Sequence, residues 1–264
     1  MLSIEGAVAV ITGGGSGIGE AIAKYWTSNG GKVVLGDVMP DSLERVESEI
    51  SAAGGEVATL AGDVTKEEDC TALAQFAIDK FGAINLVVPC AGIIRDGLFL
   101  APDRETGKIK GKMALDVFKS VIDINLNGVF LTVRECSEQM INHDCAGLIC
   151  LISSTGSLGT AGQINYASTK AAMSVFPKVI TAEFFRKNLA HRIRCVAVAP
   201  GYVGTEMVKG MNQKALDRIL ENVPLKRLVE PEEVASLIGE LYRNEAVNGE
   251  VYWIHGGLRL GSKG

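Results

Sequence analysis

Tyr166 and Lys170 stand four residues apart, so on a helix their side chains share a face and an ammonium lies beside a phenol. A free tyrosine titrates near pH ~10, and bringing it to about 7 takes roughly 4 kcal/mol of phenolate stabilisation, at about 1.4 kcal/mol per unit. A neighbouring cation supplies part of that and makes the phenol a proton donor and acceptor near neutrality. Alone, the spacing is that of an ordinary solvated pair. A second pattern gives it weight. Thr12-Gly13-Gly14-Gly15-Ser16-Gly17-Ile18-Gly19 follows the apolar run Ala7 to Ile11 directly, which sets a glycine-rich turn between a buried strand and a helix. Cβ atoms at 13, 17 and 19 would obstruct a tight turn, the approach of backbone N–H groups to a pyrophosphate, and close helix packing, and glycine removes them. The helix starting near Gly17 offers free N–H groups and a positive dipole end to an anion. Gly13, Ser16, Gly17, Ile18 and Gly19 are therefore candidate contacts to a dinucleotide.

A second apolar run, Lys32-Val33-Val34-Leu35-Gly36-Asp37, ends in an acid about twenty residues past the glycines, where a ribose-binding carboxylate belongs. Asp37 is the candidate acceptor for the adenosine 2′-hydroxyl. Its other possible role is a helix cap or loop acid, although Asp41 is better placed for capping. Ser16 and Val38 flank that pocket and are uncharged, whereas the extra phosphate of NADP calls for cations. The reading is NAD rather than NADP.

The elements that must position these groups alternate along the chain. Strand-like runs cover 7–12, 32–37, 56–61, 85–90, 148–153, 193–199 and 251–255, and helical spacing covers 17–29, 41–53, 66–81, 115–140 and 166–187. This alternation predicts an α/β fold: a single doubly wound Rossmann-type domain spanning 1–264, with a seven-stranded parallel sheet covered on both faces. Ligands are then expected at the carboxyl ends of the strands. The polar stretch 98–112 reads as an exposed loop or hairpin insertion. Residues 202–224 carry Met207, Met211, Leu216 and Leu220 at near-helical spacing, which suits a substrate lid or a plain packing helix.

With 264 residues and 47% hydrophobic content, the chain is large enough for one core and calls for no second. A net charge of −5 and the absence of a basic run argue against nucleic acid or an anionic membrane as partner. No apolar stretch reaches the ~18 residues of a spanning helix, and the N-terminus enters the first strand without a signal segment. The expected location is cytoplasmic. The six cysteines show no paired spacing and the three histidines no ligand spacing, so neither disulfide nor metal is expected.

The glycine run, Asp63-Val64, Ala91-Gly92, Asn125, Ser153-Ser154, Tyr166 with Lys170, and Pro200-Gly201 together resemble the short-chain dehydrogenase/reductase family, in order and approximate spacing and over essentially the whole chain. Within it the sequence is most similar to the 3-oxoacyl-(acyl carrier protein) reductase branch. The resemblance implies that Tyr166 is the general acid/base and that Lys170 holds the nicotinamide ribose while lowering the tyrosine pKa. It implies that Asn125 holds a water in a proton relay, with Asn127 the other candidate. It also assigns Asp63 and Val64 to adenine, Ala91 and Gly92 to backbone approach, and Pro200, Val203 and Thr205 to the nicotinamide carboxamide. Asp63 has helix capping as a second role. For the serine, a count of thirteen back from the tyrosine reaches Ser153, whereas a count from the strand start at Gly147 reaches Ser154. We take Ser154, because loops absorb deletions more readily than strands.

Three departures stand out: Pro89-Cys90 replaces an amide pair, His255 replaces an acid before Gly256-Gly257, and Pro177 falls inside the predicted catalytic helix, where it should kink it. The functional expectation is NAD(H)-dependent interconversion of a secondary alcohol and a ketone, with Ile94, Leu158, Ile164, Tyr202, Met207 and Met211 as an apolar wall. The alternative is a 3-oxoacyl thioester reductase, against which stands the nearly uncharged segment 139–144 where an acidic carrier would want basic residues. A catalytically silent dinucleotide-binding protein would be expected to have lost Asn125, Ser154, Tyr166 or Lys170. The long helices 115–140 and 166–187 carry apolar residues beyond one stripe, and with the family resemblance they predict a homotetramer.

Overall fold

The computed structural model describes residues 1–209 and 213–258. In chain order, β1 (Val8–Thr12) leads into α1 (Gly17–Ser28), β2 (Lys32–Asp37), α2 (Pro40–Ala52), β3 (Glu56–Ala61), α3 (Glu67–Phe81) and β4 (Leu86–Pro89). A small antiparallel pair follows, β5 (Leu100–Pro102) with β6 (Ile109–Lys112). Then come α4 (Leu115–Ile122), a π-helical turn (Asp123–Gly128), α5 (Val129–Asn142), β7 (Gly147–Ile152) and α6 (Ile164–Arg186). The order closes with β8 (Ile193–Pro200), α7 (Glu206–Lys209), α8 (Gln213–Glu221), α9 (Pro231–Arg243) and β9 (Val251–Ile254).

Seven strands form one parallel sheet in the order β3-β2-β1-β4-β7-β8-β9. Every residue of β1, β4, β7 and β8 is buried, as unbroken apolar strands require when helices cover both faces. Alternation along β1 divides the core: Ala9 and Ile11 pack with α1, α2 and α9, and Val10 with α3, α5 and α6. The sheet order reverses between β1 and β4, so their carboxyl ends open a crevice. The one charge buried within these central strands, Arg194 of β8, donates to the carbonyls of Leu241, Tyr242, Asn244 and Val247 at the end of α9, where a cation complements the helix dipole.

Strand and helix limits differ from the sequence expectation by a residue or two. Asn85, expected in β4, instead precedes it: its side chain accepts from Val8 N–H and donates to the Ala146 carbonyl, joining three strands at their amino ends. Helix α9 was not foreseen. Its signal is the reciprocal cap in which Glu233 accepts the Glu230 N–H at 2.9 Å, and it is fixed by packing on α1, with the Trp26 and Tyr242 rings edge to face at 4.8 Å. The helix expected over 115–140 runs without a break from Leu115 to Asn142 but widens into the π-helical turn at Asp123–Gly128, and α6 runs as one helix through the buried Pro177. Met211 lies outside the described residues, as does the Met207 side chain. No helix among the described residues is long and apolar enough to cross a membrane.

Candidate active site

A cleft of about 500 Å³ runs along the carboxyl ends of β1, β2 and β4 to the start of α6. At one end Gly13 and Gly17 have φ of 64° and 56°, left-handed values open mainly to glycine. A Cβ on Gly13 would sit 2.7 Å from Ala91 N, and one on Gly17 would sit 3.3 Å from Thr205 Cγ2. The turns after β1, β4 and β8 therefore close on one another here. Gly19 is pressed against the Gly13 carbonyl, Ile18 lines the cleft, and Ser16, exposed, begins α1 without capping it.

Asp37 accepts Gly15 N–H on Oδ2 and Met39 N–H on Oδ1, both at 3.1 Å; each oxygen keeps a lone pair for a further donor. Nearby lies a cation that flanking positions did not reveal. Arg45 lines the cleft and donates to the Gly15 carbonyl at 3.0 Å, but its guanidinium also pairs with Glu20 and Glu49. Asp63 accepts both the N–H and the hydroxyl of Thr65, which holds its carboxyl below the usual range. It turns the chain toward α3 from outside the helix. Val64 packs where a Cβ on Gly128 would approach within 2.7 Å of its Cγ2.

Gly92 faces Asn125, whose Oδ1 would be 3.3 Å from an added Cβ. Wholly buried in the π-helical turn, Asn125 grips Ile93 by both backbone groups: Oδ1 accepts the N–H at 2.8 Å and Nδ2 donates to the carbonyl at 2.9 Å. Asn127 is exposed and bonds Asp123.

Tyr166 and Lys170 share the inner face of α6. Lys170 is only 7% exposed, its Nζ donates to the Ile152 carbonyl at 2.9 Å, and it lies 5.6 Å from the tyrosine ring centroid. Burial pulls its pKa down to about 8. The two serines diverge, as adjacent extended residues must. Ser153, buried, donates to the Lys170 carbonyl at 2.8 Å, while Ser154 accepts Gly156 N–H at 3.0 Å and lies beside the Tyr166 ring, with its Oγ and Tyr166 Cε1 3.3 and 3.2 Å from where a Cβ on Gly156 would sit. One expectation is corrected here. The protein's own groups raise the Tyr166 pKa: burial leads, only the neighbouring Ser154 opposes it, and the charge of Asp96 adds to it. The cause lies in Lys170 itself: buried and titrating near 8, it has lost its charge before the phenol would ionise.

Pro200 ends β8, Val203 is buried beside Val229, and Thr205 N–H returns to the Val203 carbonyl at 2.8 Å. His255 Nδ1 accepts Gly257 N–H at 3.1 Å, a structural bond. The Cys90 thiol is pushed up to about 12 by burial, which keeps it protonated. Ile94, Leu158, Ile164 and Tyr202 are exposed and form a rim rather than a closed wall. Sequence reasoning missed Arg45, Asp96 and Asn165. The first carries an i,i+4 acid at Glu49, and the last has no sequence signal beyond preceding Tyr166.

The arrangement fits a dinucleotide: its floor is one that Cβ atoms would fill, a helix start faces it, and a carboxylate closes its far end. The sequence model of the family described as short chain dehydrogenase matches residues 7–216. The chain is 34% identical to the 3-oxoacyl-(acyl-carrier-protein) reductase of Synechocystis sp., covering 98% of this chain and 99% of that one. It is 32% identical to the enzyme of the same name from Thermotoga maritima (97% and 99% covered) and 30% identical to nodulation protein G of Rhizobium sp. (98% and 100%). Among solved structures, a short-chain dehydrogenase/reductase described as glucose/ribitol dehydrogenase, from Brucella melitensis, superposes with a TM-score of 0.85 at 28% identity, covering 96% of this chain and 97% of that one.

Proposed function

The chain belongs to the short chain dehydrogenase family, and from that premise we propose that it interconverts a secondary alcohol and a ketone with NAD(H), with Tyr166 as the general acid/base. The observation that carries the reading is the convergence of Tyr166, Ser154 and Lys170 at one end of a cleft whose other end is the glycine turn. Family membership implies a nicotinamide dinucleotide. Gly13, Ser16, Gly17, Ile18 and Gly19 would hold its pyrophosphate, Asp37 its adenosine ribose, Asp63 and Val64 its adenine. Ala91, Gly92, Pro200, Val203 and Thr205 would border its nicotinamide half. When bound it supplies or takes the hydride and, oxidised, adds a positive ring.

Tyr166 then exchanges the proton at the substrate oxygen, Ser154 hydrogen-bonds that oxygen, and Lys170 would hold the nicotinamide ribose. Because both side-chain polar atoms of Asn125 serve Ile93, a relay water there would rest on backbone groups rather than on the Asn125 side chain.

Preference for NAD rests on Asp37, whose carboxylate repels a 2′-phosphate, and on the engagement of Arg45 by two acids. Side-by-side titration with NADH and NADPH tests this: tighter NADH binding, lost or reversed in Asp37→Ala, supports it, and tighter NADPH binding in the wild type overturns it. A second reading, reduction of a 3-oxoacyl thioester, is favoured by the names of the Synechocystis and Thermotoga relatives. Turnover of a carrier-bound 3-oxoacyl substrate no faster than that of a simple ketone would count against it. A homotetramer goes with either reading. Its contact would form on the exposed apolar groove between α5 and α6, about 600 Å³ in volume, which includes Phe130, Val175 and Val179.

A further inference from the structure

The segment Ile93–Gly97, between β4 and the hairpin, is bonded from two sides. Asn125 holds Ile93. Three bonds tie the other end to the approach of α6: Gly97 N–H to the Gly162 carbonyl at 2.8 Å, Gln163 Nε2 to Asp96 Oδ1 at 3.0 Å, and Asn165 Nδ2 to the Arg95 carbonyl at 2.9 Å. Asn165 is wholly buried, and its Oδ1 also accepts the N–H of Tyr166 at 2.8 Å.

The first N–H groups of a helix have no acceptor within it. At α6 the residue in the cap position, Gln163, makes no side-chain cap and turns to Asp96 instead. Asn165, inside the first turn, takes over for the N–H of the residue that bears the phenol. Both ends of its amide are engaged, so the catalytic turn is joined to the strap that Asn125 fixes from the other side.

Resting on the assignment of Tyr166 as the proton-transfer residue, we propose that Asn165 is a positioning residue: it fixes the first turn of α6 to the Ile93–Gly97 strap and so holds the Tyr166 hydroxyl at Ser154. Asn165 touches no reacting atom. Its effect passes through Tyr166, where a displacement of about 1 Å is enough to cost on the order of a hundredfold in rate. Neither near-isostere replaces it. Leucine fills the volume and loses both bonds; aspartate keeps the acceptor but sets a carboxylate oxygen against the Arg95 carbonyl.

The test is a cycle in the full-length protein. Turnover of 3-oxobutanoyl-CoA and NADH binding are measured for wild type, Ser154→Ala, Asn165→Leu and the double variant, with Tyr166→Phe as control. Positioning predicts that Asn165→Leu lowers kcat by about ten- to a hundredfold with NADH affinity within about twofold. It also predicts that Ser154→Ala, costly in wild type, has little further effect in Asn165→Leu, because coupled residues are not additive. If the two losses multiply, or if kcat per folded molecule stays at the wild-type value, the proposal fails. Wild-type turnover in Tyr166→Phe overturns the underlying assignment as well; an inactive Tyr166→Phe beside an unaffected Asn165→Leu overturns the positioning role alone. Should Asn165→Leu not fold, Gln163→Met severs the neighbouring bond at a half-buried site. It should lower kcat several-fold with the same reduced response to Ser154→Ala, and an unchanged kcat counts against the strap.

Discussion

Lys170 carries the clearest conflict between stability and function at the level of single residues. Its pKa falls from 10.5 to about 8, and burial is the cause. Where the folded pKa of a lysine is depressed, the unfolded chain binds more protons between the two values, so stability rises with pH across that window. The cost of the buried charge is fully present below about pH 8 and gone above about 10.5. At about 1.4 kcal/mol per unit it is of order 3 kcal/mol, offset by the bond to Ile152. We expect Lys170→Met to be more stable than wild type at pH 7 by about 1–3 kcal/mol, with loss of turnover. The difference should shrink as pH rises toward 10.5. Thermal melts of both proteins across that range check this, and a variant less stable at every pH contradicts it. Tyr166 and Lys170 were legible in the sequence by type and spacing. The direction of the ammonium was not, because it depends on where the Ile152 carbonyl lies.

Among the elements, the helix from Leu115 to Asn142, with its π-helical turn, shows most plainly what sequence pattern leaves out. Apolar periodicity ran through 115–140 without a break, yet the chain inserts a π-helical turn at Asp123–Gly128. Such turns hold one residue more than the α-helical path and often mark functional sites. Here the turn buries Asn125 against the Ile93 backbone while Asn127 faces water. Asn125→Ala would leave the N–H and the carbonyl of the half-buried Ile93 without partners, at about 1–2 kcal/mol each, the lower part of the range for such groups. The expected loss is about 2–4 kcal/mol, seen as a melting point lower by roughly 4–16 °C for a chain of this size. An unchanged melting point would mean that Ile93 finds other partners. The α/β alternation, by contrast, was readable, since buried parallel strands must be continuous apolar runs. Helix α9 escaped although its signals are local: Glu230 and Glu233 at cap spacing, Pro231 in the first turn, and Val234, Ile238, Leu241 and Tyr242 at helical spacing.

For the whole molecule, the unburied surface matters most. Val175 is 55% and Val179 48% exposed on α6, beside Phe130 at 49% on α5, and the proposed homotetramer would close on this face. Val179→Glu should halve the assembled mass in sedimentation while leaving nicotinamide binding intact; an unchanged mass would place the contact elsewhere. By itself the sequence determined the layering of the sheet and the identity of the residues that gather at its carboxyl edge. Periodicity and glycine placement are local properties, and parallel crossovers admit few topologies. Only the tertiary structure decided which serine faces Tyr166, which acids engage Arg45, and that Asn165 joins the catalytic turn to the Ile93–Gly97 strap. Those facts depend on the directions of groups brought together from as many as 70 residues apart, and a linear pattern does not encode direction.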